Sequence, residues 1–193
     1  MKQPVPFSRY LVFFALAGAV FALDLATKRW IFDRLSWHEI WWLWDGKFGF
    51  QLSLNEGALT GIGWGLWPLF AALSVGAAVA ILIWLFAVGA ARDWLLNCAL
   101  ALIMGGILGN LYDRLGLPGL IWPEGVSGHT AGTTIHAVRD FVLMAAGSWH
   151  WPNYNLADSA LVCGAGLLVC HALFAKTGGE EPVADEPSAG SDS

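Results

Sequence analysis

Four apolar runs constrain this chain more than anything else in it: about Tyr10 to Phe32, Leu66 to Val88, Trp94 to Leu115 and Trp151 to Phe174. Some twenty residues rising about 1.5 Å each cross a hydrocarbon core roughly 30 Å thick. A helix is the element that satisfies its own backbone in lipid. The expected fold class is an all-α membrane protein of four transmembrane helices, one domain over residues 1–176. Of the 193 residues, 56% are hydrophobic and 13% charged, with twelve Trp. Soluble domains carry roughly a quarter charged residues. The net charge of −5 misleads, because Glu180, Glu181, Asp185, Glu186 and Asp192 sit together in the tail. Residues 177–193, rich in Gly, Pro, Ser and acid, read as disordered. The remainder is near neutral, so no basic footprint for nucleic acid exists.

The first run follows Lys2 and Arg9 and contains Ala17-Gly18-Ala19, which fits a leader with a cleavage site. It continues to Phe32, however, so it reads as a retained span. Cys98, Cys163 and Cys170 lie in apolar runs without CxxC spacing, as buried small hydrophobes rather than a zinc site or disulfides.

Between the spans, Trp37, Trp41, Trp42 and Trp44 suggest an interfacial aromatic belt. Phe50 to Asn55 alternates apolar and polar, the period of a strand, and Asn55-Glu56-Gly57-Ala58 reads as a polar turn. Thr133 to Val138 reads as another surface strand. Together they predict a small sheet on the membrane surface.

The polar residues within the spans are segregated. Asp24 lies roughly 21 Å along span one, four residues before Lys28 on the same face and able to pair with it. Asn110 and Arg114 share a face at the end of span three, where Arg114 needs a partner, most obviously a carboxylate. Asn155 and Asp158 share a face at the start of span four. Four alternating spans put all of these at one membrane face, with Asn55 and Asp140 in the loops at that face. The inner halves of the spans hold no comparable groups. A polar pocket between helices, under a surface sheet, is the consequence. Positive charges divide between both ends and leave the orientation open.

Asp140 lies in the loop feeding span four and Asp158 just inside that span. A carboxylate at membrane depth is costly and therefore a functional candidate. Two carboxylates brought together share a proton and activate a water. Asn155, one turn from Asp158, is placed to orient the pair. Asp113 is placed to pair with Arg139 or to cap a helix end. His129, His136, His150 and His171 show no metal-ligand spacing, and no metal or cofactor is expected. Ser159 has no base at helical spacing. Ion transport and a purely structural scaffold are the rival readings, since intramembrane charges also mark relays and interhelical glue.

Five pieces in order resemble the bacterial lipoprotein signal peptidase (type II signal peptidase) family: Asp24-Leu-Ala-Thr-Lys28, Asn55-Glu-Gly-Ala58, Gly109-Asn110-Leu-Tyr-Asp113-Arg114, Val138-Arg-Asp140-Phe141 and Asn155-Leu-Ala157-Asp158-Ser159. The resemblance implies a catalytic dyad of Asp140 and Asp158. It implies a substrate site lined by Asn55, Asn110, Arg114 and Asn155, supported by Asp24 and Lys28. It further implies cytoplasmic termini, an extracytoplasmic sheet and active site, and a monomer in the inner membrane among its lipids. The implied substrate is a prolipoprotein bearing a diacylglyceryl-cysteine, cut on the amino side of that residue. The chain departs from the family in a longer connection between Arg114 and Asp140, and in Arg139, where an apolar residue is common.

Overall fold

The computed structural model describes residues 4–57 and 65–177, with side chains to Phe174. Lys2, Ala58 and residues 178–193, including nearly all of the acidic tail, fall outside the described residues.

Four helices have the length and hydropathy to cross a membrane. They are α1 (Phe7–Phe32), α2 (Trp67–Leu82, continued as a π-helical stretch Ile83–Ala87), α3 (Trp94–Arg114) and α4 (Leu156–Thr177). Leu11, Phe14, Leu73, Val162, Val169 and Leu173 face outward, as a lipid-solvated bundle requires. Cys163 and Cys170 are also on this outer side, not in the core; small apolar side chains are equally compatible with lipid.

Helix α3 is the axis of the bundle: 61% of its membrane window is buried, against 17% for each of the others. Its glycines explain how. A Cβ on Gly105 would lie 2.8 Å from the Ala17 carbonyl of α1, and one on Gly106 would lie 2.6 Å from the Ala157 carbonyl of α4. Both neighbours therefore approach α3 at backbone distance, the small-residue packing that membrane helices use. Around the inner half, Phe13, Ala17, Ile81, Leu85, Leu96, Leu100 and Met104 form the main apolar core. The helix ends follow the local sequence. Asp93 caps α3 by accepting from the Leu96 N–H at 2.9 Å. Gly89 takes φ 88°, the left-handed turn that closes the second span.

The sheet has four antiparallel strands in the order β1 (Ile40–Trp44), β2 (Phe48–Asn55), β3 (Val138–Ala146) and β4 (Trp149–Tyr154). Leu52 and Phe141 pack on Ile31 and Leu35 at the outer end of α1, which seats the sheet on the bundle. Exposed Trp37, Trp41, Trp44, Trp149 and Trp151 crowd this end, as the belt reading expected.

Three expectations change. The fourth helix begins at Leu156, because residues 151–154 belong to β4; Pro152 is tolerated there because β4 is an edge strand. Asp140 is inside β3, not in a loop. The strand expected over Thr133–Val138 is reduced to a single bridge between Ile121 and Thr134, and regular pairing starts at Val138.

Candidate active site

Asn155 is the pivot of the polar cluster. It is fully buried and stands just before the first residue of α4. Its Oδ1 accepts from the Asp158 N–H at 3.0 Å, and its own N–H donates to Asp158 Oδ2 at 3.2 Å. This reciprocal pair is a capping box, with Asn as cap and Asp three residues on. Capping spends one end of the Asn155 side chain and aims the other outward. The Nδ2 group donates to Asp140 Oδ1 at 2.6 Å and to Asn110 Oδ1 at 3.1 Å. One amide thus holds both Asp140, on β3, and Asp158, in the first turn of α4.

Sheet register supplies Asp140. Ser53 lies opposite Asp140 and Asn55 opposite Val138, so the end of β2 runs beside it. Asn55 Oδ1 accepts from the Gly57 N–H at 3.2 Å, and the Asn55 side chain stands near enough to Asp140 to favour its charged form. Burial, and then the neighbouring Asp158 charge, push the Asp140 carboxyl up from 3.8 to about 7. The bond from Asn155, the neighbouring Asn55 side chain and the charge on Lys28 oppose that rise.

Beneath this pair, α1 contributes Asp24 and Lys28, both with no exposed side-chain surface. Lys28 Nζ meets Asp24 Oδ2 at 2.7 Å, Asp113 Oδ2 at 2.9 Å and Asn110 Oδ1 at 3.1 Å. An ammonium has three donors, and three acceptors are here. Because it only donates, the oxygen of Asn110 must face it. The Asn110 Nδ2 then points the other way and donates to Asp158 Oδ1 at 2.8 Å. Lys28 so fixes the hydrogen-bond polarity of a string ending on Asp158. Asp24 Oδ1 accepts from the Ala157 N–H at 2.9 Å, a carboxylate at the positive end of α4. Gly109 permits this: a Cβ there would collide with Asp24 Oδ2 and lie 3.2 Å from Ala157 Cβ.

The predicted pairing of Asp24 with Lys28 is present. The second partner, Asp113, was not legible in the local spacing. Asp113 in turn takes Arg139, whose Nε and Nη2 both donate to Oδ1 at 3.0 and 2.8 Å, while the Arg139 N–H donates to Oδ2 at 3.1 Å. Arg139 thereby joins the sheet to α3 through a buried ion pair, one of the two roles expected of Asp113. Arg114 differs from expectation. Among the described residues it has no direct carboxylate ion pair; it donates to the Gly57 carbonyl at 3.5 Å and lies over the Phe70 ring at 5.5 Å. The charges of Asp158 and Asp140 act on it across the pocket.

All eight predicted site residues therefore meet at one end of the bundle. The opposite end, expected from the sequence to hold no comparable groups, does carry buried polarity. Asn97 is fully buried there and donates to the Arg9 carbonyl at 3.2 Å. Beside it, Arg9 lies over Trp94 at 4.1 Å and His171 Nε2 meets Asp93 Oδ2 at 2.7 Å. Asn97 sits one turn into α3, where a lone polar residue resembles a helix end. Among the described residues no group of His, Cys, Asp and Glu is arranged to hold a metal ion.

Residues 16–174 match the family model described as signal peptidase (SPase) II. The lipoprotein signal peptidase of Rhodopirellula baltica is 45% identical over 173 residues, covering 85% of this chain and 72% of that protein. The lipoprotein signal peptidase of Yersinia pestis is 34% identical over 160 residues, covering 80% and 82%. A bacterial membrane enzyme solved by the in meso method at 2.3 Å superposes with a TM-score of 0.73 at 20% identity, covering 96% of this chain and 99% of that one; the likeness is one of fold. A second such structure, solved at 1.9 Å, gives 0.69 at 22% identity over 90% and 97%. The family match spans the sheet, most of the four helices and every residue of the polar cluster, and so this multi-pass membrane protein belongs to the signal peptidase II family.

Proposed function

We propose that the chain is an aspartic endopeptidase that removes the signal peptide from diacylglyceryl-modified prolipoproteins, cutting on the amino side of the lipidated cysteine. The observation that carries this reading is that one residue, Asn155, bonds carboxylates from two different elements, Asp140 through its side-chain amide and Asp158 through its backbone N–H. In this reading Asp158 is the general base. N–H donors reach both of its oxygens, the way an ionised carboxylate is held. Asp140, with its carboxyl raised to about 7, keeps a proton near neutral pH and donates it toward the scissile carbonyl oxygen. Asp158 takes a proton from the attacking water. Collapse of the tetrahedral intermediate returns that proton to the leaving amine, and Asp140 regains its own. Arg114 and Asn55 line the substrate side.

A lipid-borne substrate must arrive sideways. Helix α4 packs on α3 and α1, and span two packs on α3 and, through Phe86, on Tyr10, Phe13 and Phe14 of α1, so the lateral approach lies between α2 and α4. The termini are cytoplasmic and the sheet extracytoplasmic, in the inner membrane.

The test is cleavage of a lipidated prolipoprotein by purified protein. Asp140→Asn and Asp158→Asn are each expected to lower kcat by about 10²–10⁴-fold. Cleavage unaffected by either change would overturn the aspartic assignment.

A further inference from the structure

The connection between α3 and β3 has a described structure but no part in the chemistry above. It carries two histidines, and each stacks on a tryptophan. The His129 ring lies 3.6 Å from that of Trp122 at 12°, and the His136 ring 3.9 Å from that of Trp67 at 7°. Each histidine also reaches a segment that holds a residue of the site. His136 Nδ1 lies 2.9 Å from the carbonyl of Arg114 itself. His129 Nε2 lies 3.2 Å from Glu56 Oε1, both side chains being mostly buried. Glu56 stands between Asn55, which neighbours Asp140 and favours its charged form, and Gly57, whose carbonyl receives Arg114.

The connection is stiff enough to transmit this. Its two arms are cross-linked by the Trp122 N–H to the Thr133 carbonyl, the Gly132 N–H to the Trp122 carbonyl and the Ile135 N–H to the Leu120 carbonyl, each at 2.9 Å. One foot stands on the end of α3 and α2, and the other on the turn after β2. The paired side of that turn ends at Asn55 opposite Val138.

We propose that this connection is a clamp on the turn beside the dyad, with Glu56 and His129 as positioning residues that hold Asn55 against Asp140. The proposal rests on the assignment of Asp140 and Asp158 above. The bond works with His129 neutral or charged, since a protonated Nε2 donates to the carboxylate in both states. What the clamp sets is geometry: a small displacement of an orienting group costs an enzyme far more in rate than in binding.

The experiment compares six variants on a lipidated prolipoprotein. His129→Phe keeps a ring on Trp122 but loses the bond; Glu56→Ala loses it from the other side. Both are expected to lower kcat about ten- to hundredfold with KM nearly unchanged. Glu56→Gln, which still accepts from Nε2–H, is expected to retain activity. The pH profile separates positioning from loosening of the fold. Asp140 is faced by Asp158, Asn155, Asn55, Lys28 and Arg114, and drawing the Asn55 side chain away moves the limb on which Asp140 gives up its proton to higher pH. His129→Phe and Asn55→Ala should move that limb alike, and their combination should move it no further. Wild-type kcat and pH limb in His129→Phe, with Asp140→Asn inactive, would overturn the clamp alone. So would fully additive losses in the double variant. Activity surviving in Asp140→Asn would overturn the dyad, and the clamp with it.

Discussion

Replacing Asp140 by Asn should inactivate the protein and, at alkaline pH, make it more stable. The side chain is 2% exposed, and its carboxyl is raised from 3.8 to about 7. Between those two values the unfolded chain releases a proton that the folded chain keeps. The folded state then binds more protons, so stability falls as pH rises through this window and levels off above it. At roughly 1.4 kcal/mol per pH unit, the ionised carboxylate costs the fold on the order of 4 kcal/mol at pH 8. At pH 5 the same sum is below about 2 kcal/mol. Asn mimics the protonated acid, can still meet the Asn155 amide through its oxygen, and never ionises. Thermal unfolding in detergent or nanodiscs should therefore show Asp140→Asn gaining more over wild type at pH 8 than at pH 5. A gain equal at the two pH values, or a loss at pH 8, would refute the idea that burial of charge at this strand position is held against stability.

Two further substitutions probe the two ends of the bundle. Lys28→Met leaves Asp24 and Asp113 without their shared cation, so a loss of about 3–5 kcal/mol is expected in thermal or denaturant unfolding, reduced when Asp24→Asn is added. Its kcat should fall as well, because the Asn110 oxygen then keeps only the Asn155 donor and the amide is held less firmly against Asp158. Asn97→Leu, at the other end, removes a polar side chain whose Oδ1 has no hydrogen-bond partner among the described residues. It should leave kcat unchanged and stability within about 1 kcal/mol of wild type; a large loss of activity would mean that the inner end is coupled to the site.

Much of the site was legible because lipid is an unforgiving solvent. Asp24, Asn110, Arg114 and Asp158 stand out against apolar neighbours, and alternation of four spans assigns them to one face. Pairing across four residues was equally readable for Asp24 and Lys28. What failed to show was long-range or masked by composition. The Asp113–Arg139 pair was one of the two readings offered for Asp113 and is present, but no local spacing announces that Lys28 joins it from a third element. Strand β4 reads Trp-His-Trp-Pro-Asn-Tyr, apolar enough to be absorbed into the span that follows. Strand β3 is buried on both faces over its first four residues, which erases the alternation that betrays half-buried strands and hides Asp140 among loop residues. Asn97 was overlooked because one turn from a helix end, polarity looks ordinary.

The ion chain through the bundle closes on itself in sign. Asp24, Lys28, Asp113 and Arg139 alternate negative and positive and sum to zero. Outside that chain the pocket keeps Arg114 and the two aspartates of the proposed dyad. With one proton between them, those aspartates carry a single negative charge, which Arg114 matches. The whole cluster is then electroneutral, the one state in which seven ionisable groups sit cheaply at the edge of a hydrocarbon slab. Removing the shared proton would strand an unmatched anion there, so the membrane itself favours the protonation state that the proposed chemistry requires.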